Sequence, residues 1–563
     1  MHRAYLRSEG LSSAALAGRP IIGICNSWSE LVSCNAHLRG LATAVKRGVL
    51  HAGGLPLEFP TMSLGEPFMK PTTMVYRNLM SMDVEESIRA NPIDAVVLLA
   101  GCDKTVPAQL LGAAGADVPA LMVTAGPMSA STFRGSRLAS GSDLWKYTDE
   151  FRAGTMSEAE YGELELALIP TCGHCMEMGT ASTMAALVEA LGMSLPGSAA
   201  VPAVHARRSV LAELAGRRAV ELALGGSERP SDVLTREAFE NAITVLMALG
   251  GSTNAVIHLI ALAGRVGIDL PLELFDEISR RTPRLVNVKP SGEFLFDDLD
   301  RAGGVPALMA RLLPLLHVQA KTVTGRTIGD NISGAFVRDD DVIRPLDDPL
   351  ATEGGIAVLR GTLSPGGSLI KQGGMSTALR RHEGRAVVFQ DIYDLIDRID
   401  SPALDIAPSS VLVLKGAGPK GGYGMPEWGF LPIPERLLRQ GVRDMVRVSD
   451  ARMSGTASGA VVVHVTPEST LEGPLRAVRD GDVIRLDVDA RRLDIVVPEE
   501  EMHRRLAAGP ASEKPASRGY LAMYHEHVLG ADAGCDLDFL RNLGGELPDP
   551  MPRGLLTGWI TGW

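Results

Sequence analysis

Residues 95–105 read Ala95-Val-Val-Leu-Leu-Ala-Gly-Cys-Asp-Lys-Thr105. The β-branched and aliphatic run ending at Gly101 predicts a buried strand. Cys102, Asp103 and Lys104 follow at once. In α/β proteins, ligands collect at the carboxyl ends of parallel strands. A thiol, a carboxylate and an amine placed there point to metal chemistry. Taken alone, the tripeptide is equally a free core cysteine followed by an exposed Asp-Lys turn.

The flanking sequence decides between these. Pro20–Trp28 reads as a strand then a loop, with Cys25 a buried structural thiol. Cys34 differs, because it lies in the polar loop Ser33-Cys-Asn-Ala-His37 ahead of a helical pattern from Leu38. A helix N-terminus favours the thiolate and metal binding. Glu66, before Pro67, reads as an extended or turn carboxylate. Val84–Arg89 looks helical, and Ala120–Ala125 is a second parallel strand. Strands alternating with helices imply a parallel sheet covered on both faces.

Pro170–Met184 contains Cys172-Gly-His-Cys175 and leads into a helix with Met184, Leu187, Val188 and Leu191 on one face and Gly192 as its stop. The Cys-x-x-Cys is a redox pair, half of a zinc site, or a source of a cluster ligand. No second Cys-x-x-Cys exists, which excludes a zinc ribbon of two such pairs. His174 reads as a hydrogen-bonding loop residue, with metal ligation the alternative. Gly250-Gly-Ser-Thr-Asn254 opens another amphipathic helix. It is either an anion cradle or a stretch where Ser252 or Thr253 caps the helix, and it lacks the Gly-Lys-Ser/Thr core of a phosphate loop.

After about Asp347 short β-rich runs dominate: 355–359, 385–389, 410–414 and 460–465, with 483–488 and 493–497 forming a hairpin. Closely spaced strands with Gly/Pro turns predict a β-barrel or sandwich. Two glycine-rich loops interrupt them, 416–428 with Glu427 near its end and 449–459 with Ser454 and Thr456. The expected architecture is an α/β domain with a parallel sheet over 1–346 and a β-barrel-like domain over 347–563. The Gly/Pro-rich tail after Asp536 is expected to be partly mobile.

The 563 residues are too many for one core. A net charge of -12 leaves no basic excess for non-specific nucleic-acid binding. It permits an anionic small substrate, since one metal ion reverses the sign locally. No signal peptide or membrane-spanning apolar run is visible, so a cytoplasmic location is expected, with no membrane partner. Six cysteines in such a chain suggest core thiols, catalysis or metal rather than disulfides. Thiols from separate segments suit an iron–sulfur cluster or zinc, and carboxylates suit Mg²⁺. A cluster held by three protein thiolates leaves one iron open as a Lewis acid.

Asn26–Asn35, Gly101-Cys-Asp-Lys104, Cys175–Met184, Gly250–Asn254 and Met453-Ser-Gly-Thr456 together resemble the dihydroxy-acid and sugar-acid dehydratase family, in the same order and over nearly the whole chain. The resemblance implies cluster ligands at Cys34, Cys102 and Cys175, with Cys175 favoured over Cys172 by counting back from Thr183-Met184. It implies Mg²⁺ ligands at Glu66, Asp103 and Glu427. It implies that Lys104 is carbamylated and becomes an oxygen ligand, which burial would aid by lowering its pKa. Ser454 matches the proposed base, and Thr456 is a substrate neighbour. The implied reaction converts a 2,3-dihydroxy carboxylate into a 2-keto-3-deoxy acid.

Thr105, Met425-Pro-Glu-Trp428 and Met453-Ser-Gly-Thr-Ala457 look like the sugar-acid branch, whose members of this pattern carry [2Fe-2S], with [4Fe-4S] the alternative. The expected substrate is an aldonate such as L-arabinonate or D-xylonate. The alternatives are a branched-chain dihydroxy acid or a non-catalytic paralogue, against which the completeness of the site argues. A thiol–disulfide oxidoreductase using Cys172 and Cys175 lacks a thioredoxin-like setting. Cys172 and His174 are departures from the family pattern, and the His2-Arg3 motif at the start suggests a shortened upstream arm. The family implies a homodimer or homotetramer with the site near the domain interface.

Overall fold

The structure is a computed structural model that describes residues 2–16, 18–225, 228–507 and 515–542. Its first sheet has four parallel strands: β1 (Ile21–Asn26), β2 (Leu55–Pro60), β3 (Ala95–Ala100) and β4 (Ala120–Thr124). They lie in the order β2-β1-β3-β4. Every residue of β3 is buried. Helices Leu38–His51 and Ala206–Gly225 pack together against the sheet, as do Thr73–Arg89 and Thr105–Ala116. Right-handed crossovers place the first pair on one face and the second on the other, because the chain turns outward from β1 to β2 and then back to β3. The carboxyl ends of β1 and β3 therefore flank the switch in winding direction, where a crevice forms.

A small hairpin, β5 (Ser131–Phe133) and β6 (Ser136–Leu138), follows. The second sheet has eight strands: β7 (Ile356–Leu359), β8 (Gly367–Lys371), β9 (Arg381–Phe389), β10 (Val411–Leu414), β11 (Arg447–Ser449), β12 (Val461–Thr466), β13 (Val483–Asp487) and β14 (Arg492–Val496). Their order is β14-β13-β9-β10-β11-β12-β8-β7. The two edges nearly meet through a bridge between Arg360 and Arg492, giving a barrel-like sheet. The expected hairpin is β13–β14, antiparallel around 488–491.

Alternation along these strands sorts their side chains between cores. Ala386, Val388, Val411, Val413, Val448 and Val462 fill the barrel. Val387, Phe389, Leu412 and Leu414 face an outer layer that includes Leu395 and Leu437. Val358, Leu369, Val461 and Val463 join the large core of the α/β region. Both faces are covered, which is why the sequence shows continuous apolar runs rather than alternation.

After the barrel, residues 519–540 return to the α/β region, where Tyr524, Cys535 and Leu537 pack on Met74, Val75 and Ile257. Buried Arg77 donates to the carbonyls of Gly534 and Cys535 at 3.0 and 2.9 Å. Buried Arg265 holds both oxygens of Asp536, at 2.7 and 3.0 Å. Part of the tail expected to be mobile thus lies in this packed segment, and 543–563 fall outside the described residues. Among the described residues no helix is long and apolar enough to cross a membrane.

Candidate active site

The three cysteine loops meet above the sheet switch. Cys34 lies in the 3-10 turn Ser33–Asn35, between β1 and helix Leu38–His51. Cys102 follows β3 and Gly101. A Cβ on residue 101 would stand 2.7 Å from the Cys34 carbonyl and 2.8 Å from Asn35 Oδ1, so glycine is what lets the two loops touch. Thr105 staples the turn, accepting the Cys102 amide at 2.9 Å and donating to the Cys102 carbonyl at 3.0 Å. The Cys175 loop is bound to the chain leaving β4: the His174 amide donates to Gly126 O at 3.0 Å, and the Met128 amide donates to His174 O at 2.8 Å.

The thiols of Cys34 and Cys102 interact directly. The hydrogen bond that Cys102 donates to Cys34, burial and the nearby Asp103 carboxylate all push the Cys102 thiol up. Burial, then Glu177 and Cys34, push Cys175 up. Cys172 is part-exposed, and only burial raises it, with no contribution from the other three thiols. The electrostatic influence of Cys34 thus reaches Cys102 and Cys175, while the loop of Cys172 also touches the Cys34 turn, the Gly173 amide donating to Ser33 O at 3.4 Å. All six cysteines are free. His174 is buried and faces the Cys175 carbonyl through Nδ1 at 3.0 Å, and burial takes it down to about 3. It behaves as the hydrogen-bonding residue expected.

The carboxylates converge from both regions. Lys104 is fully buried, and its Nζ lies 3.5 Å from Glu66 Oε2, 3.5 Å from Glu427 Oε1, and against Asp103 Oδ2. The Asp-Lys pair is thus no exposed turn. Burial and the Arg452 guanidinium oppose the charge on Lys104, but Asp103, Glu66 and Glu427 outweigh them and raise it above the ordinary lysine range. This reverses the expectation that burial lowers it: the carboxylates that bring the amine into the site also hold its proton. Burial would raise Glu66, yet Lys104, Arg452 and the hydroxyls of Thr72 and Thr73 hold it at about 2. Glu427 goes the other way, because burial outweighs Lys104 and Arg452.

Residues that the sequence reading passed over build this cluster. Arg452, fully buried, donates to Glu427 Oε1 at 2.9 Å, to Met425 O at 2.7 Å and to Thr72 Oγ1 at 3.0 Å. Thr72 caps helix Thr73–Arg89 and donates to Glu66 Oε1 at 2.6 Å. Asn254 Nδ2 reaches Glu427 Oε1 at 2.9 Å and Met453 O at 3.2 Å. In the stretch around Asn254, Ser252 Oγ accepts the Asn254 amide at 3.2 Å, while Thr253 makes no capping bond. The available signal was Arg452 and Asn254 lying inside motifs already singled out.

Ser454 sits half-buried at the end of a hydroxyl chain. Trp145 Nε1 donates to Thr456 Oγ1 at 3.1 Å, and Thr456 Oγ1 lies 2.9 Å from Ser454 Oγ. Indole N–H is a donor only, so Thr456 accepts at that end; either hydroxyl can donate between Thr456 and Ser454, and Thr456 must donate once the Ser454 oxygen is ionised. The Thr456 amide also donates to Ser454 Oγ, at 3.3 Å. Two donors on one oxygen favour its anionic form. A Cβ on Gly179 would lie 3.1 Å from the Thr456 methyl and 3.7 Å from Cys175 Cβ, so the hydroxyl chain adjoins the thiol group.

Among the described residues no three His, Cys, Asp or Glu side chains are arranged to hold a bare metal ion. The donor chemistry nevertheless fits the expected groups. Three soft thiols from separate loops suit a cluster, and three hard carboxylates already gather around one buried cation, the Lys104 ammonium.

Comparison with known proteins gives the family of the chain. Residues 19–331 match the family described as dihydroxy-acid/6-phosphogluconate dehydratase N-terminal, and residues 341–535 match its C-terminal counterpart. The chain is similar to L-arabonate dehydratase of Azospirillum brasilense, 51% identical over 97% of this chain and 96% of that protein. It is 46% identical to 6-deoxy-6-sulfo-D-gluconate dehydratase of Pseudomonas putida, over 98% of this chain and 95% of that protein. Identity to dihydroxy-acid dehydratase of Ignicoccus hospitalis is 41%, over 96% and 98%. The chain is a dehydratase, and it belongs to the dihydroxy-acid/6-phosphogluconate dehydratase family.

Proposed function

We propose that the protein dehydrates a 2,3-dihydroxy sugar acid, an aldonate of the L-arabinonate or D-xylonate kind, to a 2-keto-3-deoxy acid. The observation that carries the reading is the convergence of Glu66, Asp103 and Glu427 on Lys104, next to the thiol group and the Ser454 chain. The sugar-acid assignment is supported by the higher identity to a protein named L-arabonate dehydratase, 51%, than to one named dihydroxy-acid dehydratase, 41%.

Cys34, Cys102 and Cys175 would hold a [2Fe-2S] cluster, and Glu66, Asp103, Glu427 and carbamylated Lys104 would hold Mg²⁺, supplying Lewis acidity at the leaving hydroxyl and at the substrate carboxylate. The side chains tolerate that exchange electrostatically. Three carboxylates against Lys104 and Arg452 leave one net negative charge, and the same single charge remains if Lys104 becomes a carbamate sharing a divalent cation. Ser454 Oγ, stabilised as an anion by the Thr456 hydroxyl and amide, takes the proton from C2. The C3 hydroxyl leaves with one proton as water, and the resulting enol tautomerises to the keto acid. Arg452 and Asn254 hold Glu427 still while this happens.

The test is anaerobic turnover with Mg²⁺ on L-arabinonate, D-xylonate and 2,3-dihydroxyisovalerate, followed by keto-acid detection. Preference for a sugar acid is the expected result. Preference for dihydroxyisovalerate, or no turnover in protein whose iron, sulfide and Mg²⁺ are all present, overturns the reading.

A further inference from the structure

Lys371 ends β8 and is fully buried. Strand alternation explains where it points. Ile370 belongs to the barrel core and Leu369 to the α/β core, so Lys371 leaves the barrel on the same side as Leu369. There its Nζ donates to the carbonyl of Gly455 at 2.9 Å. No carboxylate among the described residues forms an ion pair with it. A buried amine with one backbone acceptor and no counter-charge is costly to keep unless its contact does something.

Gly455 is the residue between Ser454 and Thr456. Its other side is wedged against the first turn of helix Thr180–Ala190: a Cβ there would stand 2.6 Å from the Thr180 amide nitrogen and 2.8 Å from Ser252 Oγ. The peptide carrying both hydroxyls is therefore held between a helix start and one amine. The charged groups acting on that amine are Arg284, which disfavours its proton, and Glu177, which favours it. Burial dominates and takes Lys371 down to about 7.

We propose that Lys371 is a positioning residue for the dehydration step, fixing the Gly455 peptide so that Ser454 and Thr456 keep their mutual hydrogen bond in line with the substrate. The proposal rests on the reading of Ser454 as the base. It predicts that a change at Lys371 acts on turnover rather than on substrate affinity, since the amine touches neither the carboxylate cluster nor the thiols.

The experiment compares Lys371→Met, Lys371→Ala and Ser454→Ala with the parent holoenzyme on the preferred sugar acid. Lys371→Met is expected to lower kcat about tenfold or more, with KM unchanged within about twofold and no loss of melting temperature. Lys371→Ala is expected to regain activity with added propylamine, which restores the lost donor to the Gly455 carbonyl. Parental kcat in Lys371→Met overturns the proposal, as does no response of Lys371→Ala to propylamine. If Lys371→Met does not fold, the amine-dependence of Lys371→Ala decides alone. Ser454→Ala separates the two readings: full activity there refutes Ser454 as base, whereas an inactive Ser454→Ala beside a fully active Lys371→Met refutes only the role of Lys371.

Discussion

Replacing Trp145 by phenylalanine removes the indole N–H donor together with three ring atoms while keeping an aromatic ring in place. The indole packs on Phe430 with ring centroids 5.6 Å apart, and a phenyl ring keeps most of that contact. What is lost is the donor to Thr456 Oγ1 at 3.1 Å. Without that donor the Thr456 hydroxyl is less polarised and less well held, so it donates more weakly to an ionised Ser454 Oγ. A neutral hydrogen bond of this kind contributes about 1 kcal/mol net. At 1.36 kcal/mol per tenfold in rate, kcat falls about fivefold. KM stays within about twofold, because the bond is felt only as the Ser454 oxygen gains charge. The assay is keto-acid formation by Trp145→Phe, Thr456→Val and the double variant. In the Thr456→Val background the tryptophan change costs nothing further, since its partner is gone. A fivefold loss persisting in that background, or a loss confined to KM, refutes the relay.

Three other outcomes follow from the geometry. Arg452→Met strips Glu427 and Thr72 of a buried guanidinium and lowers unfolding free energy by about 3–5 kcal/mol, read by denaturant titration. Glu189 is buried and raised to about 7, chiefly by burial, against an ordinary 4.5. A carboxyl raised in the folded state gives stability that is full below pH 4.5 and is lost as pH climbs to 7. Glu189→Gln removes this titration, so the parent weakens relative to the variant by up to about 3 kcal/mol over that window. Cys172→Ser keeps iron and sulfide at parental levels whereas Cys175→Ser loses them, checked by chemical analysis and visible absorbance.

Residues 95–104 were legible because a strand buried on both faces must be continuously apolar, and Cys-Asp-Lys stands where such a strand ends. The same reasoning found β7, β9, β10, β12 and the β13–β14 hairpin. It missed β8 and β11, which carry the buried cations Lys371 and Arg447 and so do not look like core strands. Helix Thr73–Arg89 was seen only from Val84 onward, because its buried face includes Arg77, Asn78 and Glu85 and the apolar period is broken. For the site, the cysteines and carboxylates were legible as chemistry-bearing types inside motifs. The supporting groups were not: Trp145, Arg452, Asn254 and Lys371 act through partners distant in sequence, such as Thr72 for Arg452. The charge state of Lys104 depends on how close Glu66 and Glu427 approach, a distance that no local pattern encodes.

The return of residues 519–540 to the α/β region sets the order in which a newly made chain can be finished. Helix Thr73–Arg89 emerges early from the ribosome, and its first turn holds Glu66. Its Arg77 bonds Asn78 and His258, and Arg265 on a neighbouring helix bonds Ser81 and pairs with Glu85, but both complete their sets only at Gly534, Cys535 and Asp536. Until those residues are synthesised, Arg265 lacks its bidentate carboxylate and Arg77 two of its carbonyl acceptors, and the helix that presents Glu66 lacks part of its anchorage. A chain released early therefore carries the cysteines, the lysine and the serine but not the last contacts of the helix whose first turn holds Glu66. This late segment thus finishes the support of a site whose reactive groups all lie far upstream of it.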